Sequence, residues 1–203
     1  MDQRRFIASI TLSLLMYTAV SIGAQPRYSV IDLGIQSSPH QDGLSNDGIA
    51  AGSLRLPNGS SAPALSDHGN VTSLPIFGHA NARNNRGTTI GNTDNPQGGW
   101  PSSVPFEWIA NGDILWPVPA DTLSGWANAI NDTGIGVCVF SIRTGPDRTA
   151  WCNAGDFTLL PDLGGEIAQA WTINAQGYAG GSAMTPNGET HLVVWIPQGQ
   201  LVD

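Results

Sequence analysis

The chain contains four histidines that could bind a metal, but their spacing argues against a metal site. His40, His68, His79 and His191 include no pair at the four-residue or short-loop separation that places two ligands on one ion. No cysteine or carboxylate cluster completes a ligand set. A Gly-x-Ser-x-Gly motif and a glycine-rich phosphate loop are also missing from the sequence. We therefore expect no metal, no cofactor and no catalytic residues.

Acidic residues leave one enzymatic alternative open. The two carboxylates that cleave a glycosidic bond meet in space and need no sequence motif. The sequence has 16 acidic residues, so it is compatible with a glycan-active enzyme. We favour a non-catalytic role because no other catalytic pattern is present.

A tryptophan in the polar segment 92–103 is the best candidate for ligand contact. Trp100 is flanked by glycine and proline, as in many binding loops, although its ring could equally lie on the edge of a sheet. Segments that connect neighbouring strand groups should open on the same side. The predicted binding rim therefore contains Trp100, Asp94, His79, Asp121 and Glu166. Such a rim is acidic and partly aromatic, and it would suit sugars or cationic groups.

The elements that position these residues form a fourfold repeat. Trp108, Trp151 and Trp195 lie 43 and 44 residues apart, and Leu65 precedes Trp108 by 43. Glycines recur upstream of each, at Gly48, Gly87, Gly134 and Gly177. A period of this length predicts small units that stack to bury their cores.

Each repeat divides into four short strands separated by turns that are rich in Asn and Gly. This pattern predicts an all-β fold, a β-propeller-like array of four four-stranded blades of about 43 residues. The repeats span approximately 35–75, 76–117, 118–161 and 162–203. The alternative is a two-sheet β-sandwich, which does not require a period.

An additional strand before the first repeat predicts how the array ends. We expect Val30 to Leu33 to pair with the sheet that contains Val193 to Ile196, which would close a four-bladed ring. The alternative is an open arc in which residues 28–34 lie on the first blade.

The first 24 residues are typical of a secretory signal peptide. Arg4 and Arg5 precede an uncharged stretch from Phe6 to Ala24, and cleavage is expected before Gln25. The alternative is an uncleaved membrane anchor. We expect residues 25–203 to form a single exported domain, extracellular or periplasmic, with no membrane span after cleavage.

The charge of the chain excludes one class of partner. Its formal net charge is −8, and the sequence contains no lysine. An acidic surface without a basic patch repels phosphate backbones, so we expect no nucleic acid partner.

The two cysteines, Cys138 and Cys152, lie on neighbouring strands of one predicted hairpin. An oxidising compartment favours a disulfide between them. The strand register is left open, because a slip of one residue would place the two sulfurs on opposite faces.

Several segments resemble the HAF-repeat family of probable extracellular bacterial proteins. The pattern small-x-small-x-Ile-Asn-x-x-Gly matches 127–134 and 170–177, His191 to Trp195 matches the motif that gives the family its name, and Asp162-Leu-Gly matches the strand end. The resemblance covers essentially the whole chain after the leader. It implies export and a repeat architecture, and it supplies no catalytic residues.

These observations favour a secreted non-catalytic binding or scaffold protein of the cell envelope or exterior. Its partner would be a carbohydrate or another envelope protein. The alternatives are a secreted glycan-active enzyme on a propeller and a truncated member of a longer repeat array. The sequence leaves the oligomeric state open.

Overall fold

The fold consists of small antiparallel β-sheets. The computed structural model describes residues 29–36, 43–95, 99–109, 112–153, 155–197 and 200–202. In these ranges the chain forms four separate sheets and no helix. The predicted all-β class is therefore confirmed, and the sheets number four where a sandwich would have two. No described helix is long and apolar enough to cross a membrane. The predicted leader lies outside the described residues.

Each sheet is built from consecutive strands. The first sheet contains β1 (Ile49–Arg55), β2 (Ser61–Asp67) and β3 (Asn70–Ser73). The second contains β4 (Gly78–Arg83), β5 (Thr89–Asp94), β6 (Ser103–Ile109) and β7 (Gly112–Leu115). The third contains β8 (Thr122–Ile130), β9 (Gly136–Ile142), β10 (Arg148–Asn153) and β11 (Asp156–Leu159). The fourth contains β12 (Ala168–Ile173), β13 (Ala179–Met184), β14 (Thr190–Ile196) and β15 (Gln200–Val202).

The first sheet differs from the prediction of four strands in every unit. Its innermost strand is reduced to two isolated bridges, which join Leu44 to Ala50 and Gln36 to Ser53. The other three sheets have four strands each. Substantial contacts run from each sheet to the next one along the chain.

An asparagine-centred turn follows the first strand in each of the last three sheets. In the third sheet the Asn131 side chain accepts hydrogen bonds from the backbone N–H groups of Thr133 and Ile135 through Oδ1. Gly134 closes the turn with a φ of 89°, a left-handed conformation that favours glycine. Asn84 and Asn174 accept two backbone hydrogen bonds each in the same way.

Four asparagine amides join successive sheets, and we call them the asparagine ladder. From the second sheet to the third, Asn81 donates to the Ala127 carbonyl at 2.9 Å and Asn84 to the Asn131 carbonyl at 3.0 Å. From the third sheet to the fourth, Asn128 donates to the Ala170 carbonyl at 2.7 Å and Asn131 to the Asn174 carbonyl at 3.1 Å. All four side chains are buried. Two of the carbonyls, at Ala127 and Ala170, lie on innermost strands, which have a neighbouring strand on one side only, and the other two lie in the turns that follow these strands.

The expected pairing of Val30 to Leu33 with the fourth sheet is wrong. The described strands of that sheet are β12 to β15. Residues 30–33 form no strand in the structure. Residues 34–36 lie instead on the first sheet, where a Cβ added to Gly34 would be 3.2 Å from Val71 Cγ2. These contacts agree with the open-arc alternative.

The tryptophan spacing that indicates the repeat does not mark equivalent positions. Strand pairing aligns the sheets more reliably than spacing does. The residues two positions after Gly87, Gly134 and Gly177 pair with Trp108, Cys152 and Trp195, so these three positions are equivalent. Trp151 lies one residue before the equivalent position, and so does Leu65 in the first sheet. Because side chains alternate along a strand, Trp151 faces the fourth sheet, whereas Trp195 faces the third.

The predicted disulfide between Cys138 and Cys152 is confirmed, with the two Cα atoms 6.1 Å apart. Cys138 is directly opposite Ala150, so the bond joins diagonal neighbours on one face of the sheet. Both cysteines are buried in the cluster between the second and third sheets. The positions equivalent to Cys138 and Cys152 hold a glycine and a tryptophan in two other sheets. These are Gly91 and Trp108 in the second sheet, and Gly181 and Trp195 in the fourth.

We expect Cys138→Ala/Cys152→Ala to lower the free energy of unfolding by about 3 kcal/mol, because an unfolded chain without the 14-residue closure gains entropy. Urea unfolding of the variant and of the unreduced parent measures the difference. Thiol labelling of the unfolded, unreduced parent should detect no free thiol. Equal stabilities of the two forms would contradict a stabilising role for the disulfide.

We expect Asn128→Ala to cost about 1–3 kcal/mol, because the carbonyl of Ala170 loses its buried donor. Asn187→Ala, in the exposed turn between β13 and β14, is the matched control and should change stability by less than about 0.5 kcal/mol. Thermal and urea unfolding of both variants provide the comparison. If the two variants lose the same amount, the ladder contributes no more than a surface turn.

Candidate functional site

Trp100 lies exposed at the end of the molecule that carries the loops between sheets. Its ring is 60% exposed, and the Arg143 guanidinium carbon is 5.5 Å from the ring centroid. The backbone N–H of Arg143 donates to the carbonyl of Asp121 at 3.0 Å. Two of the five predicted rim residues, Trp100 and Asp121, are thus linked through Arg143, which the sequence analysis did not select.

The other three rim residues have different neighbours, although Asp94 lies in the same hairpin as Trp100. His79 Nδ1 is 2.9 Å from the hydroxyl of Ser53 in the first sheet. Asp94 borders a cavity of about 220 Å³ together with Pro101. Glu166 borders two open cavities of about 520 and 630 Å³, which are lined largely by glycine, proline and other loop residues. Among the residues that the structure describes, the five predicted rim side chains thus border different cavities or none of those found.

A different cavity, which the sequence analysis missed, lies at the opposite end of the strands, between the third and fourth sheets. We call it the turn-end pocket. It has a volume of about 280 Å³ and is lined by Ile135, Trp151, Cys152, Asn153, Asp156, Phe157, Thr158, Gln176, Gly177 and Pro197. The lining combines two aromatic rings, two side-chain amides and one carboxylate.

The indole N–H of Trp151 distinguishes this pocket. Its nitrogen is buried and has no hydrogen-bond partner. The indole nitrogens of two other tryptophans are satisfied: Trp116 donates to Glu107 at 3.1 Å, and Trp195 donates to the carbonyl of Pro161 at 2.7 Å. A buried donor without an acceptor costs about 1–3 kcal/mol.

The walls of the pocket are held by the core and by tight turns. Phe157 contacts Phe140 edge to face, with the ring centroids 5.7 Å apart. Asp156 begins β11, and its carboxylate accepts the N–H of Phe157 at 2.7 Å. Gln176 lies in the turn capped by Asn174. Asp156 is the only charged residue in the lining, so the pocket is weakly acidic.

Register is the reason that sequence spacing did not reveal this pocket. The 43- and 44-residue intervals group Trp151 with Trp195, which is buried in the core. Only the strand pairing shows that the two tryptophans occupy different positions. Because they are offset by one residue, their side chains lie on opposite faces of their sheets. The sequence contains one sign of this offset. Trp151 follows Trp108 by 43 residues, whereas Trp195 follows Trp151 by 44.

No group of three or more metal-binding side chains occurs among the described residues. No family model, no curated protein and no solved structure matches this chain. The geometry of the sheets and of the turn-end pocket is therefore the basis for the functional argument.

One electrostatic contact joins the second and third sheets beside the ladder. Asp132 accepts hydrogen bonds from the backbone and side-chain nitrogens of Asn85 at 2.8 and 2.9 Å. The Asn85 side chain, the Asn85 backbone N–H and the nearby Arg86 all lower the pKa of Asp132 below its ordinary value of 3.8, against a smaller opposing effect of burial. The ionised form is therefore the one that joins the two sheets.

A lowered pKa predicts how stability depends on pH. The contribution of Asp132 should be complete above pH 3.8 and should disappear as the pH falls through the lowered pKa. Asp132→Asn should therefore flatten the acid side of the stability profile, as measured by urea unfolding at a series of pH values. Asn85→Ala removes only the side-chain donor and should flatten the profile less, and adding it to Asp132→Asn should change little. An unchanged acid profile in both single variants would refute the contact.

Proposed function

We propose that this chain is a secreted, non-catalytic binding protein and that the turn-end pocket holds one or two rings of a carbohydrate. The observation that carries the proposal is a cavity whose lining combines the rings of Trp151 and Phe157 with amide and acidic side chains. Ligand sites are concave and mainly apolar, with a few polar groups that fix orientation. A sugar matches this mixture because its C–H faces pack on aromatic rings while its hydroxyls both donate and accept hydrogen bonds.

The volume and polarity of the pocket support this ligand class. About 280 Å³ is at the lower end of the range for small-molecule sites, which suits one or two sugar rings. The amides of Asn153 and Gln176 each offer a donor and an acceptor, and the carboxylate of Asp156 offers two acceptor oxygens. An anionic ligand would be repelled by Asp156, so neutral sugars suit the pocket best.

The architecture and compartment belong to the same proposal. The four sheets follow one another face to face with recurring asparagine turns, which supports an open propeller-like array of the kind that resembles the HAF-repeat family. The disulfide between Cys138 and Cys152 supports an oxidising compartment, and hence export to the cell envelope or exterior.

A neutral-glycan array followed by calorimetry with the best ligand tests this function. We expect Gln176→Ala and Asp156→Ala to weaken binding about tenfold each, which corresponds to about 1.4 kcal/mol. Both residues are exposed, so the fold should be retained. Trp151→Phe reduces the aromatic surface in the wall of the pocket, and it should also weaken binding.

Trp100→Ala, at the opposite end of the strands, is the matched control and should bind as the parent does. Hydrolase assays on the bound glycan should leave it intact. Binding that is lost in Trp100→Ala and kept in the pocket variants would move the site to the loop rim. Absence of binding to any neutral glycan would refute the proposed ligand class.

A further inference from the structure

The turn-end pocket has walls from two different sheets. The fourth sheet and its turns contribute Gln176, Gly177 and Pro197, and the other lining residues belong to the third sheet and its turns. Gly177 and Pro197 are neighbours, since a Cβ added to Gly177 would lie 3.4 Å from Pro197 Cγ. The width of the pocket is therefore the separation of two sheets at their turn ends. A residue that fixes this separation also fixes the positions of the pocket walls.

Asn131 contacts both walls, although it does not line the pocket itself. Its Oδ1 accepts the N–H of Ile135 at 3.0 Å, and Ile135 is the wall residue contributed by the same turn. Its amide nitrogen donates to the carbonyl of Asn174 at 3.1 Å, and the same carbonyl accepts the N–H of Gly177 at 3.0 Å. One buried side chain thus holds a wall residue in each of the two sheets.

The turn that Asn174 begins extends this contact to Gln176. The Asn174 side chain accepts the backbone N–H groups of Gln176 and Tyr178 at 3.0 and 2.9 Å. Gln176 and Gly177 therefore lie in one hydrogen-bonded turn, and a shift of the Asn174 carbonyl moves both. The position of the Gln176 amide relative to the third-sheet wall thus depends on Asn131.

Two other hydrogen bonds between the third and fourth sheets act farther from the pocket. They reach the carbonyls of Ala170 and Ala168, four and six residues before Asn174. At about 3.3 Å per residue, these carbonyls lie about 13 and 20 Å along the strand from Asn174. They hold the loop half of β12, whereas the Asn131 bond holds the turn that follows it.

We infer that Asn131 is a positioning residue of the turn-end pocket, which sets the distance between Ile135 and the turn that carries Gln176, so that a sugar contacts both walls at once. The inference rests on the proposed function of this pocket. Binding groups must be held within about 0.5 Å of the productive geometry, usually by buried residues behind them. Loss of the Asn131 amide would leave the Asn174 carbonyl with one donor fewer, and the turn would move toward water.

Asn84 is the matched control, because it makes the same kinds of contact one interface earlier. Its Oδ1 accepts the N–H groups of Arg86 and Thr88 at 3.1 and 2.9 Å. Its amide donates to the carbonyl of Asn131 at 3.0 Å. Asn84 and Asn131 are 4% and 6% exposed. Asn84→Ala and Asn131→Ala should therefore lower the urea midpoint by similar amounts, and only Asn131→Ala should alter the pocket.

Amide hydrogen exchange, measured by NMR without ligand, tests the position of the walls directly. In Asn131→Ala the Gly177 amide should exchange about tenfold faster than in Asn84→Ala, because local opening of the turn becomes easier. Asn131→Asp keeps the oxygen that accepts the Ile135 N–H and loses the donor to Asn174. It should accelerate exchange at Gly177 and leave Ile135 unchanged, and it replaces Asn131→Ala if that variant does not fold.

Calorimetry with cellobiose, maltose and lactose then measures binding of neutral sugars. With the disaccharide that the parent binds most tightly, Gln176→Ala should weaken binding about tenfold in the parent and in Asn84→Ala, but less than about threefold in Asn131→Ala. The effect is smaller there because the Gln176 amide no longer reaches the sugar. Asp156→Ala should cost about tenfold in all three backgrounds, since Asp156 begins β11 and Asn131 does not hold it.

A Gln176→Ala effect of equal size in both asparagine variants would overturn the inference, as would Gly177 exchange that is the same in both. A parent that binds none of the neutral sugars would instead contradict the proposed function. In that case, faster Gly177 exchange in Asn131→Ala than in Asn84→Ala would still support Asn131 as the residue that positions the two walls.

Discussion

The structure depends on the hydrogen bonds that buried asparagine amides donate from one sheet to the next. A sheet of three or four short strands cannot bury a sufficient core by itself, so each sheet needs its neighbours. The innermost strand of each sheet is also an edge, with carbonyl groups that lack a strand partner on one side. Asn81 and Asn128 supply donors to two of these carbonyls, at Ala127 and Ala170. The same contacts therefore satisfy an edge and fix the position of one sheet on the next.

The direction of these bonds gives the array two unlike ends. The donors on the second and third sheets point forward along the chain, toward the innermost strand of the following sheet. Asn174 keeps the turn of its predecessors in the fourth sheet, but its side chain is exposed and no described sheet follows. Trp171 replaces the other ladder asparagine there. In the fourth sheet, the face turned away from the third therefore carries Trp171 where the second and third sheets carry amide donors.

Small side chains let the sheets approach one another, and the third sheet departs from the pattern of the others. Alanines form much of the buried surface between sheets, as in Ala127, Ala129 and Ala170. In the third sheet a disulfide occupies the positions that hold glycine and tryptophan in its neighbours, and the aromatic residue is displaced by one position to Trp151. That displacement turns the indole toward the fourth sheet. The turn-end pocket is therefore a consequence of the same substitution that cross-links the hairpin.

Local chemistry in the sequence was sufficient to determine most strands of the last three sheets, the asparagine–glycine turns and the proximity of Cys138 and Cys152, because hairpin geometry follows from residues close in the chain. The register of each hairpin was not determined in this way, since a pattern with a period of two is equally regular after a shift of one residue, and the side of Trp151 depends on that shift. The strand pairing expected for Val30 to Leu33 was wrong for a related reason. Which sheet a segment joins is decided by the assembled fold, and residues 34–36 lie on the first sheet. Tertiary structure also decided which polar side chains meet, because the ladder joins residues more than forty positions apart.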